Sequence, residues 1–376
     1  MQGRIVSRDL LESGYSVFMA DLYKSRVNDL LKKYSANEQA FFTYVDLRDI
    51  EMTINIIEKS GSEVVINCAE GDWNVNVYQA CLRTKTHCLD LGSLDIPMSK
   101  EQLAMDLAFK KIKRTAITGC GSMPGIGNVM LRHAAKKFDS IDSIDMGFAW
   151  NSNKKKFVVP FSIESVLEEF TLPAPLMKGG RLMHKKPLAT FMVQRYKSIG
   201  YQKSFLVDHP EVWTFYHYLK DKGVKNIRFF AGFPYHSLET ILSLIELGFM
   251  NKKPVKMLKG VEIIPIEFLT QMLKRLRFPR DYKERENLWV DITGRKARKP
   301  KKILMECLVP PLEGWEDAGC NIDTGFSASI MAKMIKEEEL TQRGSFAPEG
   351  VVPEKKFFHE LRKKKMVVYE NGTVIN

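Results

Sequence analysis

Strand-length apolar runs alternate with amphipathic stretches along residues 15–120, and this rhythm restricts the fold more than any other feature of the sequence. The runs fall at Ser16–Asp21, Ala40–Asp46, Glu63–Ala69, Thr86–Leu91 and Arg114–Gly119, with helical spacing at 24–34, 49–59, 74–83 and 99–111. Strand, helix and strand in steady succession require crossover connections, and these produce a parallel sheet covered on both faces. The pattern predicts an α/β fold with a Rossmann-type doubly wound sheet. Ligands of such a sheet bind outside the carboxyl ends of its strands. The residues there are Asp21, Asp46, Asn67-Cys68-Ala69 and Asp90, and the last run leads into Gly119-Cys120-Gly121.

The stretch before the first of these runs has helical spacing (Ile5, Val6, Leu10, Leu11) and stops at Gly14, a good helix terminator. Asp21 lies 18 residues after Gly3. That spacing matches the last glycine of a G-x-G-x-x-G fingerprint and the acidic residue that binds a ribose 2′-hydroxyl. The first strand and the first two glycines of the fingerprint would precede Met1. Two expectations follow: a longer natural protein in which Met1 is internal, or a chain that no longer holds a dinucleotide.

Beyond residue 120 the rhythm becomes irregular. Pro and Gly cluster at 173–180, 253–265 and 309–325, and the runs Ile144–Trp150, Ile227–Phe233 and Leu288–Ile292 suggest a mixed sheet. A length of 376 residues exceeds one compact core. We divide the chain into a dinucleotide-binding domain (1–120), an α+β substrate and dimerisation domain (121–322), and a tail (323–376) that packs back on the first. The tail should hold helices at Ser327–Glu339 and Glu354–Lys365.

Composition narrows the class. Hydrophobic residues at 44% and charged residues at 27% exclude a mostly disordered chain. No apolar run approaches the roughly 18 residues of a membrane span. The six cysteines form no CxxC pair, a pattern of reduced thiols that points to the cytoplasm. The histidines at 87, 133, 184, 217, 236 and 359 lack metal-ligand spacing, so no metal is expected. A net charge of +12 suits an anionic partner. The lysine runs lack the interleaved aromatics of a nucleic-acid surface, so a phosphate-bearing cofactor and a carboxylated substrate are the better partners.

Several stretches together resemble the saccharopine dehydrogenase-like family of amino-acid oxidoreductases. They are Gly3–Leu10, Ala20-Asp21, Tyr44–Leu47, Val65–Ala69, Cys88–Gly92, Gly121–Asn128, Asp208–Thr214, Asp323–Gly325 and Ala347–Gly350. The family includes saccharopine dehydrogenases, lysine 6-dehydrogenases and carboxynorspermidine-type synthases, and the stretch at 208–214 is most similar to the first. The resemblance implies an NAD- or NADP-dependent enzyme acting on a carbon–nitrogen bond of an amino acid such as saccharopine or lysine, working as a homodimer. The alternative is a non-catalytic scaffold that has kept the fold and lost the cofactor.

Roles for individual residues follow from position and from the resemblance. Gly3, Asp21, Asn67, Cys68 and Ala69 should contact the cofactor, and the family pattern adds Asp46 and Leu47. A carboxylate at 21 accepts ribose hydroxyls and repels a 2′-phosphate, which favours NAD, although Lys24 and Arg26 soften the preference. Asp90 could face the substrate or cap a turn. The glycine-bearing loop with Pro124 offers Gly125 and Asn128 as pocket residues. His209 and Glu211 are the candidate acid–base pair, because imidazole titrates near neutrality. Arg181, Arg195 and Arg228 are candidate forks for substrate carboxylates.

Overall fold

The computed structural model describes residues 1–376 apart from 35–37, 94–95, 160–162 and 278. Helix α1 (Gln2–Glu12) ends where its sequence predicts, with Gly14 at φ +86°. The Tyr15 and Gly14 N–H groups donate to the Leu10 and Leu11 carbonyls at 3.0 Å each, the paired bonds that a positive-φ residue makes possible at a helix end.

The alternation then unfolds as read. It runs β1 (Val17–Asp21), α2 (Asn28–Tyr34), β2 (Ala40–Tyr44), α3 (Ile50–Ser60), β3 (Val64–Asn67) and α4 (Asn74–Thr84). It continues with β4 (His87–Asp90), α5 (Ile96–Ala104), α6 (Asp106–Lys111) and β5 (Thr115–Ile117). The one helix expected at 99–111 is two helices, interrupted at Met105, with the second starting on its own acidic residue, Asp106.

Next come α7 (Ile126–Ala135), β6 (Ser140–Ser152), α8 (Ile163–Thr171), β7 (Ala174–Lys178), β8 (Arg181–Lys185), β9 (Phe191–Tyr196) and β10 (Gly200–Leu206). After them lie α9 (Glu211–Leu219), β11 (Asn226–Gly232), α10 (Tyr235–Glu246), β12 (Val255–Lys256), β13 (Glu262–Ile263) and α11 (Pro265–Leu273). The chain closes through β14 (Glu284–Lys296), β15 (Lys299–Val309), α12 (Ile322–Lys336), β16 (Gly344–Phe346) and α13 (Pro348–Val351). Last are α14 (Glu354–Lys363), β17 (Val367–Glu370) and β18 (Thr373–Val374).

Two parallel units make up the first layer. β1 pairs with β2, and β3, β4, β5 and β16 form a second sheet in the order β16-β5-β4-β3. Among the described residues no strand joins β1 to β3. Helix α12 packs on α1 and against β3 and β4. A Cβ at Gly325 would lie 2.3 Å from Ile5 Cγ2, so glycine lets the two helices touch. The fully buried Asp9 of α1 is held by Ser329 and Lys333 of α12 and by Lys364 just after α14.

The second layer is a ten-stranded mixed sheet whose main path is β18-β17-β15-β14-β6-β11-β10-β9. β6 pairs parallel with β11 and antiparallel with β14. Side chains alternate across a strand. Ile144, Met146, Phe148 and Trp150 of β6, Phe229 of β11 and Leu288 of β14 therefore enter one core that extends to Ile5, Leu89 and Ile117 of the first layer. Ala149, Phe230 and Trp289 occupy the opposite face. His209 packs on the first of these faces, against Phe148 and Phe229.

Candidate active site

The strand ends of the parallel sheet are wired together by carboxylate and amide side chains. Asp90, fully buried at the end of β4, accepts from the amides of Gly92 (2.6 Å) and Gly119 (3.0 Å), from Thr118 Oγ1 (3.2 Å) and from Gln102 Nε2 (2.7 Å). Burial pushes this carboxyl up from its ordinary range, while the Gly119, Gln102 and Gly92 donors pull it back. With both oxygens engaged, Asp90 organises the loops after β4 and β5. Asn67 continues the wiring: its Nδ2 donates to Asn74 Oδ1 (2.7 Å), and Asn74 donates to the Gly92 carbonyl (3.3 Å).

Opposite this edge lies the pair suggested by the 208–214 segment. His209 Nδ1 is 3.0 Å from Glu211 Oε2, and the imidazole stacks on Phe229 with centroids 3.7 Å apart and planes within 3°. Both residues are buried. A carboxylate at Nδ1 fixes the tautomer that leaves the lone pair on Nε2. Thr214, in the first turns of α9, and Pro210 line a small cavity with Gly92, Ser99, Thr118, Gly119, Pro124, Asn128 and Ala347.

Asn128 connects this cavity to the tail. Its Oδ1 accepts from the Gly125 amide and its Nδ2 donates to Glu349 Oε2, both at 2.7 Å. Gly125 sits at φ +138°, and a Cβ there would lie 1.7 Å from the Gly121 carbonyl oxygen, so the turn accepts only glycine. Burial pushes the Glu349 carboxyl up to about 7; the Asn128 amide opposes the rise and nearby Glu211 adds to it.

This has a consequence for stability. Glu349 binds its proton more tightly in the fold than in the unfolded chain, so its contribution is complete below its ordinary pKa and fades as pH climbs through the folded value near 7. Asp323, which burial also raises to about 7, acts in the same direction. Urea titrations between about pH 5 and pH 8 are expected to show the wild type losing about 2–3 kcal/mol more than Glu349→Gln. Parallel pH slopes for the two proteins would contradict the assignment.

The dinucleotide candidates lie on the other side of the strand ends. Asp21 Oδ1 accepts from the Tyr23 amide (2.8 Å) and from Arg26 Nη1 (3.2 Å), and its side chain keeps partial exposure. Asp46 is engaged by Arg48, with Nε 2.9 Å from Oδ1, and the Leu47 carbonyl accepts from Asn76 (2.9 Å). A Cβ at Gly3 would lie 3.4 Å from Cys68 Cβ, which places the first turn of α1 against the end of β3. No side chain caps α1, and its Arg4 amide donates to the Met1 carbonyl (3.1 Å). Burial pushes the Cys68 thiol up to about 12, which leaves it a neutral packing group. Small residues at the β3 end and a carboxylate at the β1 end fit the ribose portion of a dinucleotide.

The three arginines are not brought to this cavity. Arg228 alternates with Phe229 on β11 and so lies on the far face of the sheet, where Asp145 takes its fork at 2.7 and 2.6 Å. Arg181 and Arg195 are exposed on β8 and β9, opposite Lys178 and Tyr201. Residues that sequence reasoning passed over include Thr118, Gln102, Thr214 and Glu349. The Ala347–Gly350 motif contains Glu349, but nothing local shows that it meets Asn128.

A Rossmann-type layer set against a mixed sheet, with a buried imidazole–carboxylate pair packed on the mixed sheet, is the architecture of a dehydrogenase. The family model of the saccharopine dehydrogenase C-terminal domain matches residues 121–367, and the chain belongs to this family. It is 23% identical over 321 residues to a carboxyaminopropylagmatine dehydrogenase of Synechocystis sp., covering 82% of this chain and 80% of that relative. The solved apo structure of saccharopine dehydrogenase (L-Glu forming) from Saccharomyces cerevisiae shares the fold, with a TM-score of 0.75 at 12% identity, covering 100% of this chain and 97% of that one. No helix among the described residues is long and apolar enough to cross a membrane.

Proposed function

We propose that this chain is a nicotinamide-dependent dehydrogenase acting on the carbon–nitrogen bond of an amino-acid secondary amine, of saccharopine or lysine type. One arrangement carries the reading: the small cavity at the carboxyl ends of β4 and β5 is lined by Asn128, which binds Glu349, and by Pro210, which sits between His209 and Glu211 in the chain. NAD or NADP, when bound, supplies the hydride acceptor or donor. Gly3, Asp21, Asn67, Cys68 and Ala69 would hold the dinucleotide, with Asp46 and Leu47 nearer its adenine end. Asp21 supports NAD, and Arg26 beside it supplies the charge that would tolerate a 2′-phosphate.

The chain's own residues handle protons and water. His209, with Nδ1 tied to Glu211, would take a proton from the amine through Nε2 or return it to the product amine. Gly119, Pro124 and Asn128 of one turn, Thr118, and Pro210, Thr214 and Ala347 line the small pocket. A substrate of the carboxyaminopropylagmatine kind is the second reading, supported by the Synechocystis relative.

Calorimetric titration with NADH and NADPH tests the cofactor half of the proposal. The expected result is saturable binding that Asp21→Ala weakens about tenfold for NADH, the loss of a charge-assisted hydrogen bond, and weakens less for NADPH. Absence of binding for both nucleotides would favour the scaffold reading.

A further inference from the structure

The segment from the end of α10 through α11 carries apolar surface that the core leaves out. Nine of the twenty-one large apolar side chains exposed among the described residues fall within positions 247–276. Single exposed apolar residues are ordinary on a folded protein, whereas a concentration of them marks an interaction surface. β12 and β13 pair as a short hairpin, closed by the Met257 amide donating to the Val261 carbonyl (2.7 Å) and turned through Gly260 at φ +75°. Its tip is apolar: Met257 and Val261 are half exposed and Leu258 is 92% exposed.

Helix α11 bears two apolar stripes. Leu269 is buried and packs with Ile266 and Leu273 on the main core. Phe268, Met272 and Leu276 recur at steps of four beside that stripe, and each stays 45–47% exposed. The Leu276 amide still donates to the Leu273 carbonyl (3.0 Å), so the coil continues through it. The Ile266 amide donates to the Asn251 carbonyl (3.2 Å), which ties the start of α11 to the turn after α10.

Positive charge is concentrated in the same stretch. Residues 247–277 contain seven Lys and Arg against two Glu, and so supply five of the chain's twelve net positive charges. Lys252, Lys253, Lys256, Arg275 and Arg277 are exposed, and among the described residues none of the five forms an ion pair. A second copy is a poor occupant, because a two-fold interface would set this basic patch against itself. Nucleic acid is a poor one too, because the exposed apolar groups are mostly aliphatic and offer few rings for bases to stack on. An apolar tip as convex as Leu258 needs a soft, deformable apolar phase.

We propose that the β12–β13 tip and the outer stripe of α11 form a docking surface for an anionic lipid bilayer. The apolar side chains enter the boundary between headgroups and acyl chains, and the lysines and arginines rest among the anionic headgroups. Attachment of this kind is peripheral and needs no spanning helix. It would hold the protein at a membrane surface whatever substrate the cavity takes, so it stands independently of the dehydrogenase chemistry.

Co-sedimentation of the whole chain with vesicles tests this, comparing pure phosphatidylcholine with phosphatidylcholine containing about 30% phosphatidylserine. The anionic vesicles are expected to bind at least about tenfold more protein at low salt, since each basic residue at such a surface is worth about fivefold. Leu258→Asp should weaken that binding about tenfold or more, by losing an inserted leucine. Lys252→Glu/Lys253→Glu/Lys256→Glu should remove the preference for anionic lipid. All the substituted side chains are exposed, so unchanged urea midpoints are expected and confirm that the variants fold. No binding to anionic vesicles, equal binding to both, or binding that survives both variants overturns the surface. Soluble poly-glutamate bound as tightly as the anionic vesicles would also overturn it, by showing that charge alone is recognised. Sedimentation equilibrium without lipid examines the rival occupant. Self-association that Leu258→Asp abolishes makes the patch an interface between copies and overturns the lipid assignment, whereas a mass that this substitution leaves unchanged supports it.

Discussion

Replacing His209 with alanine is expected to lower turnover by about 10²–10⁴-fold, the usual range for removing a positioned general acid or base. Nucleotide affinity should change little, because His209 contacts Phe229 and Glu211 on the mixed-sheet side of the cavity. Glu211→Gln keeps an acceptor for Nδ1 and should cost less than the alanine variant. The decisive comparison is a split: kcat falls while the nucleotide Kd holds. Equal loss in both would make His209 a packing residue.

The second large effect concerns stability. Asp90→Ala removes the acceptor for two backbone amides, a hydroxyl and a side-chain amide, all in buried or partly buried surroundings. Leaving such donors unmatched is expected to cost about 3–5 kcal/mol, measured as a shift in the urea unfolding midpoint. Asp90→Asn preserves the shape and one carbonyl acceptor and should lose less. A change below about 1 kcal/mol in the alanine variant would show that the loops after β4 and β5 are held by other contacts.

Much of this was legible in the sequence where the signal is local. The β–α alternation, the helix end at Gly14 and the polar residues closing β1, β3 and β4 depend on neighbours within a turn or a strand. The loop to Asn128 and the His209–Glu211 pair could also be read, since a Pro, a few glycines and a residue two positions away carry them. Long-range pairings could not. Asn128 meets Glu349 across 221 residues, and Asp9 meets Lys364 across 355. Arg228 lies away from the cavity for a register reason: it is one residue from Phe229, and that single step moves it to the other face of the sheet.

The chain's central role is tested most directly by the nicotinamide absorbance band during incubation with saccharopine, lysine or an N-carboxyalkyl derivative of a basic amine, with NAD and NADP supplied in turn. A time-dependent change with at least one pair is expected, nearly abolished in His209→Ala. A folded, nucleotide-binding protein that leaves the band unchanged with every one of these substrates would contradict it.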